Sequence, residues 1–195
     1  MALRPEFAKI ADWVSHGARV LDLGCGDGSL LHYLQTQRNI RGYGVEINDD
    51  KIFACLRHGV NVIQADLESG LQAFDSGSFD YVILSQTLQA MRQTEEVILE
   101  MLRIGQQAIV TFPNFAHWRH RWDILRGHMP VSKAIPYQWY NTPNIHFCTI
   151  NDFELFCAQR EIMVEERLVW QGQQLVNVWP NWLGTLAAYR LSRQL

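Results

Sequence analysis

The stretch Val20-Leu-Asp-Leu-Gly-Cys-Gly-Asp-Gly-Ser-Leu30 constrains this 195-residue chain more than any other. A short apolar run enters three alternating glycines, Gly24, Gly26 and Gly28, and leaves through Ser29-Leu30-Leu31 and Leu34 at helical spacing. Glycine has no Cβ, so it turns the backbone sharply and lets a ligand approach the main chain closely. The helix beyond presents N–H groups and the positive end of its dipole. A strand–glycine loop–helix unit of this kind belongs to open α/β sheets, which bind ligands at the carboxyl ends of their strands. In dinucleotide-binding sheets the helix end holds a pyrophosphate. In sheets that bind S-adenosylmethionine (SAM) the same close approach serves the methionine moiety and its carboxylate. The dinucleotide fingerprint wants a further glycine at position 29, where this chain has the small residue Ser29, so the spacing leaves both ligands open.

The rest of the chain alternates β-rich runs with helical patterns, as a parallel sheet covered by helices requires. Strands are expected at Arg19–Leu23, Gly42–Ile47, Val60–Gln64, Phe79–Leu84, Gln107–Phe112, Ile162–Trp170 and Leu186–Leu191, the last two as an antiparallel pair at one end of the sheet. Asn48 is placed to cap the helix Asp49–His58 and Gly59 to end it. Thr94 is placed to cap a helix that Gly105 ends, and Thr149-x-x-Asp152 reads as a capping box. The segment 113–147 interrupts the alternation, holds four of the six prolines and shows no clear strand. Long insertions of this kind commonly cover a site. A single domain spanning 1–195 is expected, with a loop and helix insertion at about 113–147.

Carboxylates stand where a nucleoside would meet them. Glu46 ends the second strand, 22 residues after Gly24, where a carboxylate accepts hydrogen bonds from ribose hydroxyls. Asp66 follows the third strand, in reach of an exocyclic adenine amine, and Ser85-Gln86 ends the fourth strand beside the glycine loop. The candidate cofactor residues are therefore Asp22, Gly24, Cys25, Gly26, Gly28, Glu46, Ile47, Asp66, Leu67, Ser85 and Gln86.

The net charge of −3 gives no general attraction to nucleic acid or anionic membranes, and no apolar run is long enough to span a bilayer. With no signal-peptide core near Met1, the cytoplasm is the expected compartment. Cys25, Cys55, Cys148 and Cys157 make neither a Cys-x-x-Cys pair nor a zinc spacing, so reduced and mostly buried thiols are expected, and no metal. Between Arg103 and Asn151 five basic residues face one acid, a local excess of positive charge in an acidic chain.

The arrangement resembles a class I SAM-dependent methyltransferase across nearly the whole chain, through Leu21-Asp-Leu-Gly-Cys-Gly-Asp-Gly28, Gly44-Val-Glu-Ile47, Gln64-Ala-Asp-Leu67 and Phe79-Asp-Tyr-Val-Ile-Leu-Ser85. A closer resemblance is to the MetW family of methionine-biosynthesis proteins. Phe79 to Gln89, Thr111-Phe-Pro-Asn-Phe115, and Pro136-Tyr137 with Trp139 to Ile150 carry it, outside the generic motifs. The resemblance implies a Rossmann-like fold with a mostly parallel seven-stranded sheet, an antiparallel last strand and helices on both faces. It implies SAM or S-adenosylhomocysteine as the cofactor and homoserine O-acyltransferase as a partner. It leaves open whether methyl transfer occurs on some small molecule. The fourth strand lacks the Asn/Asp-Pro-Pro-aromatic signature of nucleic-acid amino methyltransferases, and no Pro-Cys pair offers a nucleophile for cytosine methylation.

Two aromatic groups remain. Phe115, Trp118, Trp122 and Leu125 fall near one helical face among Arg119, Arg121 and Arg126, and the simplest reading packs that face on the sheet. His117 and His120 lack a third metal ligand at suitable spacing. His146 and Tyr140 are expected to be structural, with contact to an acceptor as the alternative. Trp179 and Trp182 sit in the uncharged stretch from Gln171 to Thr185, where burial is again the simpler reading and an exposed binding patch the alternative.

Overall fold

The structure is a computed structural model that describes residues 4–193. Eight strands, β1 (Arg19–Leu23), β2 (Arg41–Glu46), β3 (Asn61–Gln64), β4 (Phe79–Ser85), β5 (Gly105–Pro113), β6 (Ile162–Gln171), β7 (Gln174–Leu175) and β8 (Leu186–Arg193), form one sheet in the order β3-β2-β1-β4-β5-β8-β6-β7. The first five are parallel. β8 inserts antiparallel between β5 and β6, so β6 runs in the direction of β5. The seven expected strands are all present. The eighth, β7, is a two-residue return onto the end of β6, too short to leave a pattern in the sequence.

Burial on both faces explains the continuous apolar runs of the central strands. Val20, Tyr81, Ile83 and Ile109 point to one side. There they pack with α1 (Pro5–Trp13) and α2 (Ser29–Arg38), through Phe7, Ile10, Trp13, Leu30, Leu31 and Leu34. Leu21, Leu23, Val82, Leu84 and Val110 point to the other side. They meet α4 (Thr94–Ile104) and α6 (Ile150–Gln159) there, through Val97, Ile98, Met101, Phe153 and Cys157. Strand alternation thus builds two cores from one sheet.

Local signals set the helix ends. Asn48 caps α3 (Asp49–Arg57) by accepting from the Lys51 N–H at 3.1 Å. Thr149 and Asp152 close the box at the start of α6: the Asp152 N–H donates to Thr149 Oγ1 at 3.1 Å, and that hydroxyl donates to the Asp152 carboxylate at 2.7 Å. Thr94 departs from expectation. It is the first helical residue of α4, Gln93 holds the cap position, and the Thr94 hydroxyl donates back to Met91 O. Helix α1 was not expected, although Pro5 at its first turn and the apolar Phe7 and Ile10 suit one.

The segment 113–147 carries one helix, α5 (Trp118–Leu125), and its orientation corrects the expectation. His120 is its buried residue, while Trp118, Trp122 and Leu125 face solvent. His120 Nδ1 pairs with Phe115 O at 3.2 Å and Nε2 with Ser132 Oγ at 3.0 Å, so the imidazole is anchored on both sides. Trp179 and Trp182, at α7 (Pro180–Leu183), are likewise exposed rather than buried.

Asn114 ties these parts together. It is wholly buried, its Nδ2 donates to Asn181 O and Gly184 O, and its Oδ1 accepts from the Ala116 and Ile150 N–H groups. Asn114→Ala leaves four backbone groups without partners. It should destabilise the protein by about 4 kcal/mol or more in urea unfolding, since each buried polar group stranded costs about 1–3 kcal/mol. A loss under about 0.5 kcal/mol would mean that water replaces the amide there.

Candidate functional site

The glycine loop joins β1 to α2 with Gly24, Gly26 and Gly28 at φ +65°, +59° and +75°, a region that other residues rarely adopt. A side chain at Gly24 would collide with Thr87, and one at Gly28 would press on Cys55 Sγ at 3.0 Å. At Gly26 a Cβ meets nothing within 4 Å, so this glycine faces open space. The loop is suspended from β2: the N–H groups of Gly24 and Cys25 both donate to Val45 O, at 2.8 and 3.1 Å. The Gly28 N–H turns inward to Cys25 O, and the Ser29 N–H to Asp27 Oδ1.

Glu46 closes this arrangement. One carboxylate oxygen accepts from the Ile47 and Asn48 N–H groups, the other from Gly26 N–H, all at 3.0 Å, and Lys51 Nζ stands 3.9 Å away. The carboxylate is thereby buried and fixed in direction, with one lone pair of Oε2 left for a ligand hydroxyl. Asp66 is oriented by the Glu68 N–H at 3.0 Å on one oxygen.

A cavity of about 140 Å³ brings Gly24, Glu46, Ile47, Asp66 and Leu67 together, along with Lys51, Ala65, Thr87 and Met91. Those last four went unnoticed in the sequence. Thr87 and Met91 follow the strand end already singled out, and Lys51 lies one turn into the helix that Asn48 caps. The cavity is smaller than the roughly 300–1,000 Å³ usual for a whole small-molecule ligand. A larger depression of about 550 Å³, lined by Ser15, Asp80, Tyr81 and Gln107, lies at the amino ends of the strands, away from the glycine loop.

Asp22, Ser85 and Gln86 lie outside the 140 Å³ cavity, as do Cys25, Gly26 and Gly28. Cys25 points into the core, where a Cβ at Gly44 would overlap its sulfur and Cys55 Sγ lies 3.7 Å away. Burial pushes both thiols upward, so they are packing groups rather than nucleophiles. Gln86 adopts φ +52°, and its N–H donates to Thr111 O and Thr111 Oγ1, both at 3.0 Å. Its side-chain amide donates to the buried Glu6, which pairs with Arg4, and Arg4 also donates to Ser85 Oγ at 3.2 Å. Helix α1 and Arg4 before it therefore wall this end of the sheet, a contribution invisible without the tertiary contact.

Asp22 is the group whose state bears on a ligand. It is buried, and its Oδ1 has no hydrogen-bond partner. Burial raises its pKa to about 7; the Arg4 guanidinium opposes the rise and the Glu46 carboxylate adds to it. An orphaned acceptor of this kind suits a ligand that brings a donor or a positive charge.

Residues 4–191 match the protein family described as methionine biosynthesis protein MetW. The chain is 36% identical over 188 residues to the bifunctional methionine biosynthesis protein MetXA/MetW of Rhodopirellula baltica, covering 90% of this chain and 30% of that protein. It therefore spans less than a third of that relative. The fold is shared with an S-adenosylmethionine-dependent methyltransferase of Mesorhizobium loti, at TM-score 0.71 and 11% identity over 97% of this chain and 98% of that one. A TehB-like SAM-dependent methyltransferase of Corynebacterium glutamicum superposes at TM-score 0.66 and 13% identity over 99% and 89%. At these identities the likeness establishes the fold alone.

The raised Asp22 pKa has a signed consequence. The folded state holds this proton more tightly than the unfolded chain, so stability falls as pH rises from the ordinary 3.8 toward 7. Asp22→Asn cannot ionise. It should be more stable than the ligand-free wild type at pH 8, with the difference narrowing toward pH 4. Urea melts across this range check it; a pH-independent difference would mean that Asp22 stays ionised in the fold.

Proposed function

The chain belongs to the MetW family of methionine biosynthesis proteins, and from that membership we propose that it binds SAM beside the glycine loop and works alongside a homoserine O-acyltransferase. The observation that carries the cofactor reading is the cavity that unites Gly24, Glu46 and Asp66, with Gly26 open to solvent and Asp22 unpartnered. Glu46 would receive the ribose hydroxyls, Asp66 the adenine amine, and Ile47 and Leu67 the faces of the ring. The methionine end, carrying an ammonium and a sulfonium, would lie along Gly26 toward Asp22, and its positive charge would hold Asp22 ionised. When bound, SAM supplies an electrophilic methyl group.

The partner reading rests on the Rhodopirellula baltica relative, whose name joins MetXA and MetW in one bifunctional protein. We take its MetXA portion to be the homoserine O-acyltransferase that the family resemblance implies. A SAM-binding protein beside that acyltransferase would couple an early step of methionine synthesis to the supply of SAM.

A second reading, methyl transfer to a small molecule, has one observation in its favour. The strap 143–148 hydrogen-bonds to Gln89 O through the Ile145 and His146 N–H groups, and closes an apolar cavity of about 270 Å³ lined by Leu88, Gln89, His146, Phe147, Phe153 and Phe156. This cavity abuts the turn that follows β4, two residues from Thr87 and Met91. Tyr140, by contrast, stands in solvent against Trp139.

Calorimetry with SAM tests the cofactor reading. Glu46→Ala should weaken binding by about 1.5–3 kcal/mol, the range for hydrogen bonds to a charged group. Asp66→Ala should cost less, because apolar packing also holds adenine. Gly26→Val should abolish binding in a folded protein, because its branched side chain enters the open space. Unchanged affinity in folded Gly26→Val would remove SAM from this loop. Incubating labelled SAM with a cell extract, with labelled small metabolites as the readout, separates the second reading from the first.

A further inference from the structure

Helix α5 is inverted relative to an ordinary surface helix. Its one buried residue is a histidine, while Trp122 and Leu125 are 55% and 75% exposed and Ile124 joins them in solvent. Beside it, Trp179 is 73% exposed and is held at φ +47°, a strained conformation for a bulky residue. Arg121 connects the two elements: its Nε donates to Ala116 O at 2.7 Å, and its guanidinium lies 5.2 Å from the Trp182 ring centroid. Between them opens a cavity of about 320 Å³, bordered by Arg121, Asn151, Arg167, Trp179, Asn181 and Trp182. The two aromatic groups, whose nearest members Trp122 and Trp179 are 57 positions apart, thus share one surface.

That surface is basic. Among the described residues, Arg119, Arg121, Arg126 and Lys133 form no ion pair, and Asp123 is the single acid between Arg103 and Asn151. Exposed tryptophans set among unpaired arginines have the composition of a protein-binding hot spot. Their positive charge selects an acidic partner face. Among the described residues none covers these side chains, whereas a helix stabilised by intramolecular packing would turn them inward.

We propose that α5 and the turn from Val178 to Trp182 form one docking surface for a protein partner that offers an acidic face with an apolar side chain for the cavity beside Trp182. Resting on the functional reading above, that partner is the homoserine O-acyltransferase. The arginines steer the encounter and the tryptophans hold the complex, so affinity declines with ionic strength.

The experiment uses the full chain and the acyltransferase of the same organism, with complex formation measured by sedimentation and SAM affinity by calorimetry. Trp122→Ala with Trp179→Ala should weaken the complex at least about tenfold while SAM binding is retained. Arg119→Glu with Arg126→Glu removes two solvent-facing charges that form no ion pair, Arg119 lying 5.2 Å from the ring centroid of its exposed neighbour Trp118, and should weaken it to a similar degree. Phe53→Ser with Leu56→Ser, on the exposed side of α3, is the control and should leave the complex intact. If the wild type binds and both surface variants bind as tightly, the docking surface is wrong and the functional reading stands. If the wild type does not bind the acyltransferase, the functional reading falls and this occupant with it. Binding of a short RNA oligonucleotide to the wild type that is lost in Arg119→Glu with Arg126→Glu, while both surface variants still bind the acyltransferase, would overturn the assignment to a protein partner.

Discussion

The carbonyl of Val45 accepts two hydrogen bonds, from Gly24 and Cys25, and much of the site depends on that one junction. It fixes the first loop to the end of the second strand before any ligand arrives. Glu46, the next residue, then reaches Gly26 through its carboxylate, so one strand end holds three consecutive loop N–H groups. Left-handed φ values at Gly24, Gly26 and Gly28 make the geometry possible, and the close approach of Cys25 to Gly44 makes it tight. A ligand that enters here meets a surface already in place, with little ordering left to oppose binding.

The carboxylates around the loop do different work. Glu46 is satisfied by main-chain donors and positions the loop as well as facing the cavity. Asp22 is buried with an empty acceptor, a costly state for a group that serves only the fold. Glu6 lies beneath Arg4 and Gln86, closing the same end of the sheet from α1. The stability given up at Asp22 is what the cationic ligand proposed for this loop would restore, in keeping with the general tendency of binding sites to sit below the stability optimum.

The insertion follows a different physical logic from the sheet. Its helix is anchored by His120 and by the buried amide of Asn114, which places α5, the start of α6 and the turn at α7 in fixed relation. Polar groups inside and tryptophans outside are the reverse of what core packing produces. The rigid polar anchor keeps the aromatics presented without collapse.

The sequence by itself determined the sheet and put the candidate site at its strand ends. Continuous apolar runs such as Phe79–Leu84, bounded by glycine and capping signals, fix strand identity because both faces must be buried. Gly24, Glu46 and Asp66 could be read together as candidates because strand ends convert sequence position directly into spatial position, and one cavity gathers them, while Gly26 and Gly28 lie outside it. The aromatic stripe of α5 misled, since periodicity shows that residues share a face and not which way the face points. Thr94 misled for a related reason: a threonine one residue into the helix gives the same local pattern as one at its cap. Tertiary structure alone decided that Arg4 and Glu6 wall the carboxyl end of β4, that Thr87 abuts Gly24, and that Arg121 meets Trp182. Each of these joins residues more than 50 positions apart, and only chain packing sets such distances.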